Sequence, residues 1–219
     1  MFSVCWVTAL RYTPLSRRAL ALFGMIIILV INITEAVALD LFGGHLDHYY
    51  VMIAGILVIM TLPRSRHAIS VGAGNRNCDL HYEGMTRIWI VGYTLWNWAF
   101  VYLNYPIVAG QHLAVLASAF VVGMIEPRRW LQARAYTLAT YVFVLATFRD
   151  FQTSWMDTSH WTNPFARIVV AATCLGIVVI STARDIVGRV LESINSLSPC
   201  QSLPLGPHAT GPAAAGVGG

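Results

Sequence analysis

The fold class that this 219-residue chain predicts is all-α, a polytopic transmembrane helical bundle. Three observations carry that reading. Hydrophobic residues make up 57% of the chain and charged ones 11%, whereas a soluble domain carries roughly 25% charged residues. Apolar stretches recur six times, separated by short polar connections. Twelve of the fourteen arginines fall on one side of that pattern, and there is no lysine.

The stretches run from Ala19 to Leu39, Tyr50 to Leu62, Ile88 to Leu103, Leu113 to Ile125, Ala135 to Phe148 and Phe165 to Ala183. Several are shorter than the roughly 20 residues that cross a bilayer untilted, so they must recruit flanking residues. Six spans are expected, with seven as the alternative. Arg11, Arg17 and Arg18 precede the first; Arg64, Arg66, Arg76 and Arg87 separate the second from the third. Arg128, Arg129 and Arg134 separate the fourth from the fifth, and Arg184 and Arg189 follow the sixth. Basic residues accumulate in cytoplasmic loops, which puts both termini inside. The net charge of +4 then orients the protein rather than recruiting nucleic acid.

Arg17, Arg18 and the apolar run that ends near Ala36-Val37-Ala38 imitate a secretory signal. The run is long for that purpose and Glu35 stands just before the cleavage motif, so the segment is read as a retained first span. Residues 1–197 are expected to form one bundle. Residues 198–219 are rich in Pro, Gly and Ala and are expected to be a disordered tail. A basic chain without lysine suggests a GC-rich genome, hence a bacterial inner membrane. Cys5, Cys78, Cys174 and Cys200 form no paired motif, so neither a disulfide framework nor zinc is expected. Gly24, Gly55, Gly92, Gly123 and Gly176 occur in five of the six spans and are read as close helix contacts.

Depth along each span follows from the helix rise. Counted from the cytoplasmic anchors, Asn97 lies about 15 Å up; Glu35, Asn104 and Arg167 lie about 25 Å up, and Arg149 and Asp150 about 22 to 24 Å. Ionisable groups at such depth face a bundle interior and pair, so Glu35 and Asp150 are expected to neutralise Arg149 and Arg167, unless the layer lies among the headgroups. The third span carries the densest chemistry. Trp89, Tyr93, Trp96 or Asn97, Phe100 and Asn104 share one helical face of rings and amides. An amide facing hydrocarbon lacks partners, so the stripe should look inward, either as packing or as the wall of a cavity whose π-faces stabilise a cation. Asn32 and Glu35 are three residues apart and address one face.

His45, Asp47 and His48 are expected in an outer loop, with His112, Asp157 and His160 in the other outer loops. Their spacing matches no metal motif, so no metal site is assigned. His67 and His81, and Val71-Gly72-Ala73-Gly74, are expected in a cytoplasmic loop, and the glycines do not form a phosphate-binding loop.

The acid beside an amide in Asn32-Ile33-Thr34-Glu35, the run Trp96-Asn97-Trp98-Ala99-Phe100-Val101-Tyr102 ending near Pro106, and the chain's size resemble the small integral-membrane terpene cyclases of meroterpenoid and indole-terpenoid pathways. The resemblance covers about a third of the chain. It implies a multi-pass enzyme that protonates a lipophilic prenyl chain or its epoxide, with Glu35 as one acid. Asp150 is chosen by depth as the second, with Asp40 and Asp185 as substitutes. The chain departs from that family in having six spans rather than seven and Trp96-Asn97 where a Trp-Glu pair stands. Asn32, Tyr93, Trp96, Asn97, Phe100, Asn104, Arg149 and Arg167 are the expected substrate-binding residues, with no cofactor. The bilayer is the expected surrounding, and no oligomeric state is assigned. A small transporter with a polar intramembrane path and a scaffold subunit remain the alternatives.

Overall fold

The structure, a computed structural model, describes residues 2–63, 68–72, 78–148 and 156–196. Its architecture is helical, with seven α-helices among those residues. They are α1 (Phe2–Tyr12), α2 (Ala19–Phe42), α3 (Leu46–Met60), α4 (Arg87–Asn104), α5 (Ala109–Ile125), α6 (Trp130–Thr147) and α7 (Pro164–Ser196). A short antiparallel hairpin, β1 (Ile69–Val71) and β2 (Leu80–Tyr82), stands between α3 and α4 with Ile69 opposite Tyr82. Arg149, Asp150, Arg64, Arg66, Arg76, His67, Gly74 and the expected tail all lie outside the described residues.

Helix ends follow local chemistry. Gly43 and Gly44 close α2, Gly44 in the left-handed region at φ 71° that a residue without a Cβ tolerates. The Thr86 hydroxyl accepts from the Trp89 N–H at the start of α4, and the Asn163 side chain accepts from the Ala166 N–H at the start of α7. Proline stands just before α5 and α6, where a missing N–H costs nothing.

Among the described residues, three segments are long and apolar enough to cross a membrane: Ala19–Phe42, Pro106–Ile125 and Pro164–Gly188. The apolar helix α3 is shorter. Large hydrophobic side chains also stand exposed on these helices, among them Leu20, Phe42, Ile125 and Phe165, and on α6, where Phe143 is exposed. Exposed apolar side chains in that number suit a lipid surround better than water.

Two features were not expected. The arginine-bearing N-terminus is helical: α1 buries Val7 and Leu10 completely, and its Trp6 donates to the Ala21 carbonyl at 3.0 Å. At 11 residues α1 is about 16 Å long and cannot cross a bilayer. The hairpin packs under it. Asp79 gathers Arg11 at 3.3 Å, Arg129 at 3.4 Å and Gln132 at 3.2 Å, which ties α1, the hairpin and α6 together at the arginine-rich end.

Boundaries also move. Helix α3 begins at Leu46, four residues before the expected Tyr50, and takes Asp47 and His48 into its first turn. Helix α7 runs on to Ser196 because its sequence becomes amphipathic rather than polar after Ala183. Of the five glycines expected at close contacts, Gly55 and Gly123 are tightly filled by neighbouring side chains. Gly176 faces open space, so helix packing does not explain it.

Candidate functional site

The aromatic stripe of α4 turns inward. Trp89, Tyr93 and Trp96 are each at most 5% exposed. Trp96 lies against α3, where Gly55 leaves room for the indole, and its Nε1 donates to the Val51 carbonyl at 3.1 Å. Tyr93 and Trp89 stack with centroids 5.3 Å apart, and Trp130 meets both edge-on.

Beside this stripe a cavity of about 440 Å³ opens between α2, α4, α5 and α6. Asn32 and Glu35 from α2 line it together with Tyr93, Trp96, Asn97 and Phe100 from α4. Both α2 residues are exposed, so they stand at its mouth. Apolar side chains form much of the remaining wall, among them Met25, Ile28, Leu29 and Ile33 from α2 and Leu131, Ala135 and Leu138 from α6, and Ser3 of α1 also borders it. Six of the residues expected from the sequence therefore surround one space.

Two further groups line the cavity that sequence reasoning missed, His112 and Arg134. His112 was expected in an outer loop. It stands instead in the first turn of α5, 9% exposed, with Nε2 2.6 Å from the Asn97 Oδ1. Asn97 Nδ2 donates to the Tyr93 hydroxyl at 3.2 Å, so its oxygen faces the imidazole. His112 must then carry its hydrogen on Nε2, leaving Nδ1 with a lone pair. Arg134 was counted as a cytoplasmic anchor. It is 7% exposed, and neither its Nε nor its Nη1 has a hydrogen-bond partner. Its position in the second turn of α6, past the start of the helix rather than in the connection before it, was the available signal.

Asn104 and Arg167 do not join this cavity, and the expected pairing of Arg167 with Glu35 is corrected. Arg167 Nε bonds the Asp47 carboxylate at 2.6 Å, and its Nη2 lies 3.1 Å from His48 Nε2. A guanidinium only donates, so His48 Nε2 accepts and its Nδ1–H donates to Asp40 Oδ1 at 2.8 Å. Asn104 Nδ2 donates to the same oxygen at 2.8 Å. The one polar layer read from depth is thus two arrays. The reason is local: with α3 starting early, Asp47 and His48 face α7 and supply Arg167 with nearer partners than Glu35. A second pocket of about 380 Å³ borders this array, lined by His45, Leu46, Asp47, Pro164, Arg167 and Ile168. No group of three or more metal-ligating side chains occurs among the described residues.

Outside the spans, the Asp157 carboxylate accepts from the Ser159 N–H at 2.7 Å, which holds its pKa below the ordinary aspartate range. The preceding contacts fix the segment that carries it: Thr158 Oγ1 donates to the Pro106 carbonyl at 2.7 Å and accepts from the Gly110 N–H at 3.1 Å.

Comparison with curated proteins and with solved structures found no match. One family profile does match, over residues 2–198, and the chain belongs to that family, described as a family of unknown function (DUF5692).

Proposed function

We propose that this family member is a multi-pass membrane protein with both termini on the cytoplasmic side, in a bacterial inner membrane. In this reading it acts as an enzyme on a lipophilic prenyl substrate held between α2, α4, α5 and α6. The observation that carries the reading is that one carboxyl, Glu35, shares an apolar cavity with the faces of Tyr93, Trp96 and Phe100. The arginine distribution and the apolar exterior support the topology. The shorter helices complete six spans around the three long ones.

The reaction that suits these groups is acid-initiated cyclisation. Glu35, in its acid form, gives its proton to one carbon of a terminal alkene. The cation left on the other carbon lies against ring faces whose quadrupoles are negative, on the inner side of the cavity away from its mouth. An internal alkene donates its electron pair to that carbon and closes a ring. The new cation loses a neighbouring proton to His112 Nδ1, which regenerates a double bond, so the net change is isomerisation. The proton returns from His112 to Glu35 through solvent. Asp150, outside the described residues, stays in the proposal as the second acid that the sequence suggested.

The test is turnover in proteoliposomes with a panel of linear prenyl alkenes and epoxides. The wild-type chain should cyclise at least one of them, and Glu35→Gln should abolish that turnover with the fold intact. Wild-type turnover retained in Glu35→Gln, or no panel member consumed by the wild type, would overturn the proposal.

A further inference from the structure

We infer that Arg134 is the docking point for an anionic group, a carboxylate or phosphate, carried by the lipophilic molecule in the cavity. The inference rests on the cavity reading above and adds the chemical class of its occupant. Arg134 lines the cavity, is 7% exposed, and has neither Nε nor Nη1 bonded. A guanidinium sequestered from water without a counter-charge is strongly disfavoured, and buried cations are normally paired. Its neighbours at that end of the bundle show the usual outcome. Arg11 pairs with Asp79, Arg129 with Asp79 and Glu126, and Arg128 with Glu126. Among the described lining residues Glu35 is the sole acid, and no ion pair joins it to Arg134. The missing partner is therefore supplied by what enters the cavity. A planar fork of donors selects a carboxylate or phosphate, whose oxygens it can bind in pairs.

The rest of the wall limits the remainder of the ligand. Met25, Leu29, Leu131 and Leu138 offer no polar atoms to it beyond Met25's thioether. A volume of about 440 Å³ lies toward the lower end of ligand pockets and suits one chain or ring skeleton better than both tails of a bilayer phospholipid. The occupant is a single-chain anionic amphiphile, with its head at Arg134 and its hydrocarbon against α2, α4 and α6.

The test measures binding to the full chain in neutral detergent by native mass spectrometry, with oleate, dodecyl phosphate and oleyl alcohol as probes. The wild type should bind both anions about 10- to 100-fold more tightly than the alcohol. Arg134→Gln should bring the anions down to the alcohol's level without changing the alcohol. Arg134→Lys, a point charge, should keep part of the preference. An equal affinity of the wild type for acid and alcohol, or an undiminished preference in Arg134→Gln, overturns the assignment. If Arg134→Gln fails to fold, the wild-type comparison and Arg134→Lys decide. Leu29→Trp, which fills the cavity, should remove all binding; if every probe binds it unchanged, the cavity reading itself falls. Failure of phosphatidylglycerol to compete supports a single-chain occupant, whereas its competition at the affinity of oleate would overturn the single-chain assignment and place a two-tailed membrane lipid at Arg134.

Discussion

Replacing Gly55 by alanine should destabilise the bundle although alanine is the better helix former. A Cβ at this position of α3 would lie 2.6 Å from Val37 Cγ2 and 2.7 Å from Trp96 Nε1. That nitrogen donates to the Val51 carbonyl, and the indole is 1% exposed, so the ring has nowhere to retreat. Overpacking of this kind costs about 1–3 kcal/mol, and stranding the buried N–H costs about 1–3 kcal/mol more. Helix propensity offsets about 1 kcal/mol, which leaves a net loss of about 1–5 kcal/mol. Gly176 in α7 provides the internal control, because nothing lies within 4 Å of its added Cβ. Gly176→Ala should be neutral or stabilising by up to about 1 kcal/mol. Thermal unfolding of the full chain in detergent, followed by the fluorescence of its seven tryptophans, reads both variants. A Gly55→Ala variant as stable as the wild type would refute the packing of Trp96 against α3, as would equal shifts in the two variants.

Other perturbations probe the two polar arrays and the segment that carries Asp157. Asp40→Ala removes the acceptor of both His48 and Asn104, at about 1–3 kcal/mol for each stranded donor. Asp40→Asn keeps one acceptor oxygen, so its melting temperature should fall between those of Asp40→Ala and the wild type. Asn97→Leu releases His112 from its tautomer and should lower turnover about 100-fold, measured on the same prenyl panel. Asp157 has a folded-state pKa below its unfolded value, so its contribution is present above the ordinary aspartate range and lost as pH falls through the lowered value. Asp157→Asn should flatten that acid limb in a pH series of melting curves; an unchanged limb would count against the Asp157–Ser159 contact.

The sequence was most legible where a physical penalty allowed one arrangement. Amides and rings on one face of α4 had to avoid hydrocarbon, and that face is buried. Asn32 and Glu35, three residues apart, line one cavity because a helix puts that spacing on one side. It was least legible where a residue's count outweighed its place. Arg134 contributed to the charge asymmetry that oriented the chain, and the same tally concealed that its guanidinium is buried. Polar residues also misplaced helix ends: Asp47 and His48 looked like loop until α7 supplied Arg167 as their partner. Depth arithmetic grouped Asn104 and Arg167 with Glu35 because it carries height along a helix and no azimuth. The α1 helix was missed because its apolar face is short and finds its partners, α2 and α6, only in the folded bundle.

The central claim is that a lipophile occupies the space between α2, α4, α5 and α6, and photolabelling tests it most directly. A prenyl alcohol carrying a diazirine at its tail would be irradiated with the full chain in liposomes and the modified residues mapped by mass spectrometry. The account predicts label concentrated on Met25, Leu29, Leu131 and Leu138, and lost from them in Leu29→Trp. Label confined to the outward-facing Phe23, Val121, Phe143 and Ile180 would contradict it.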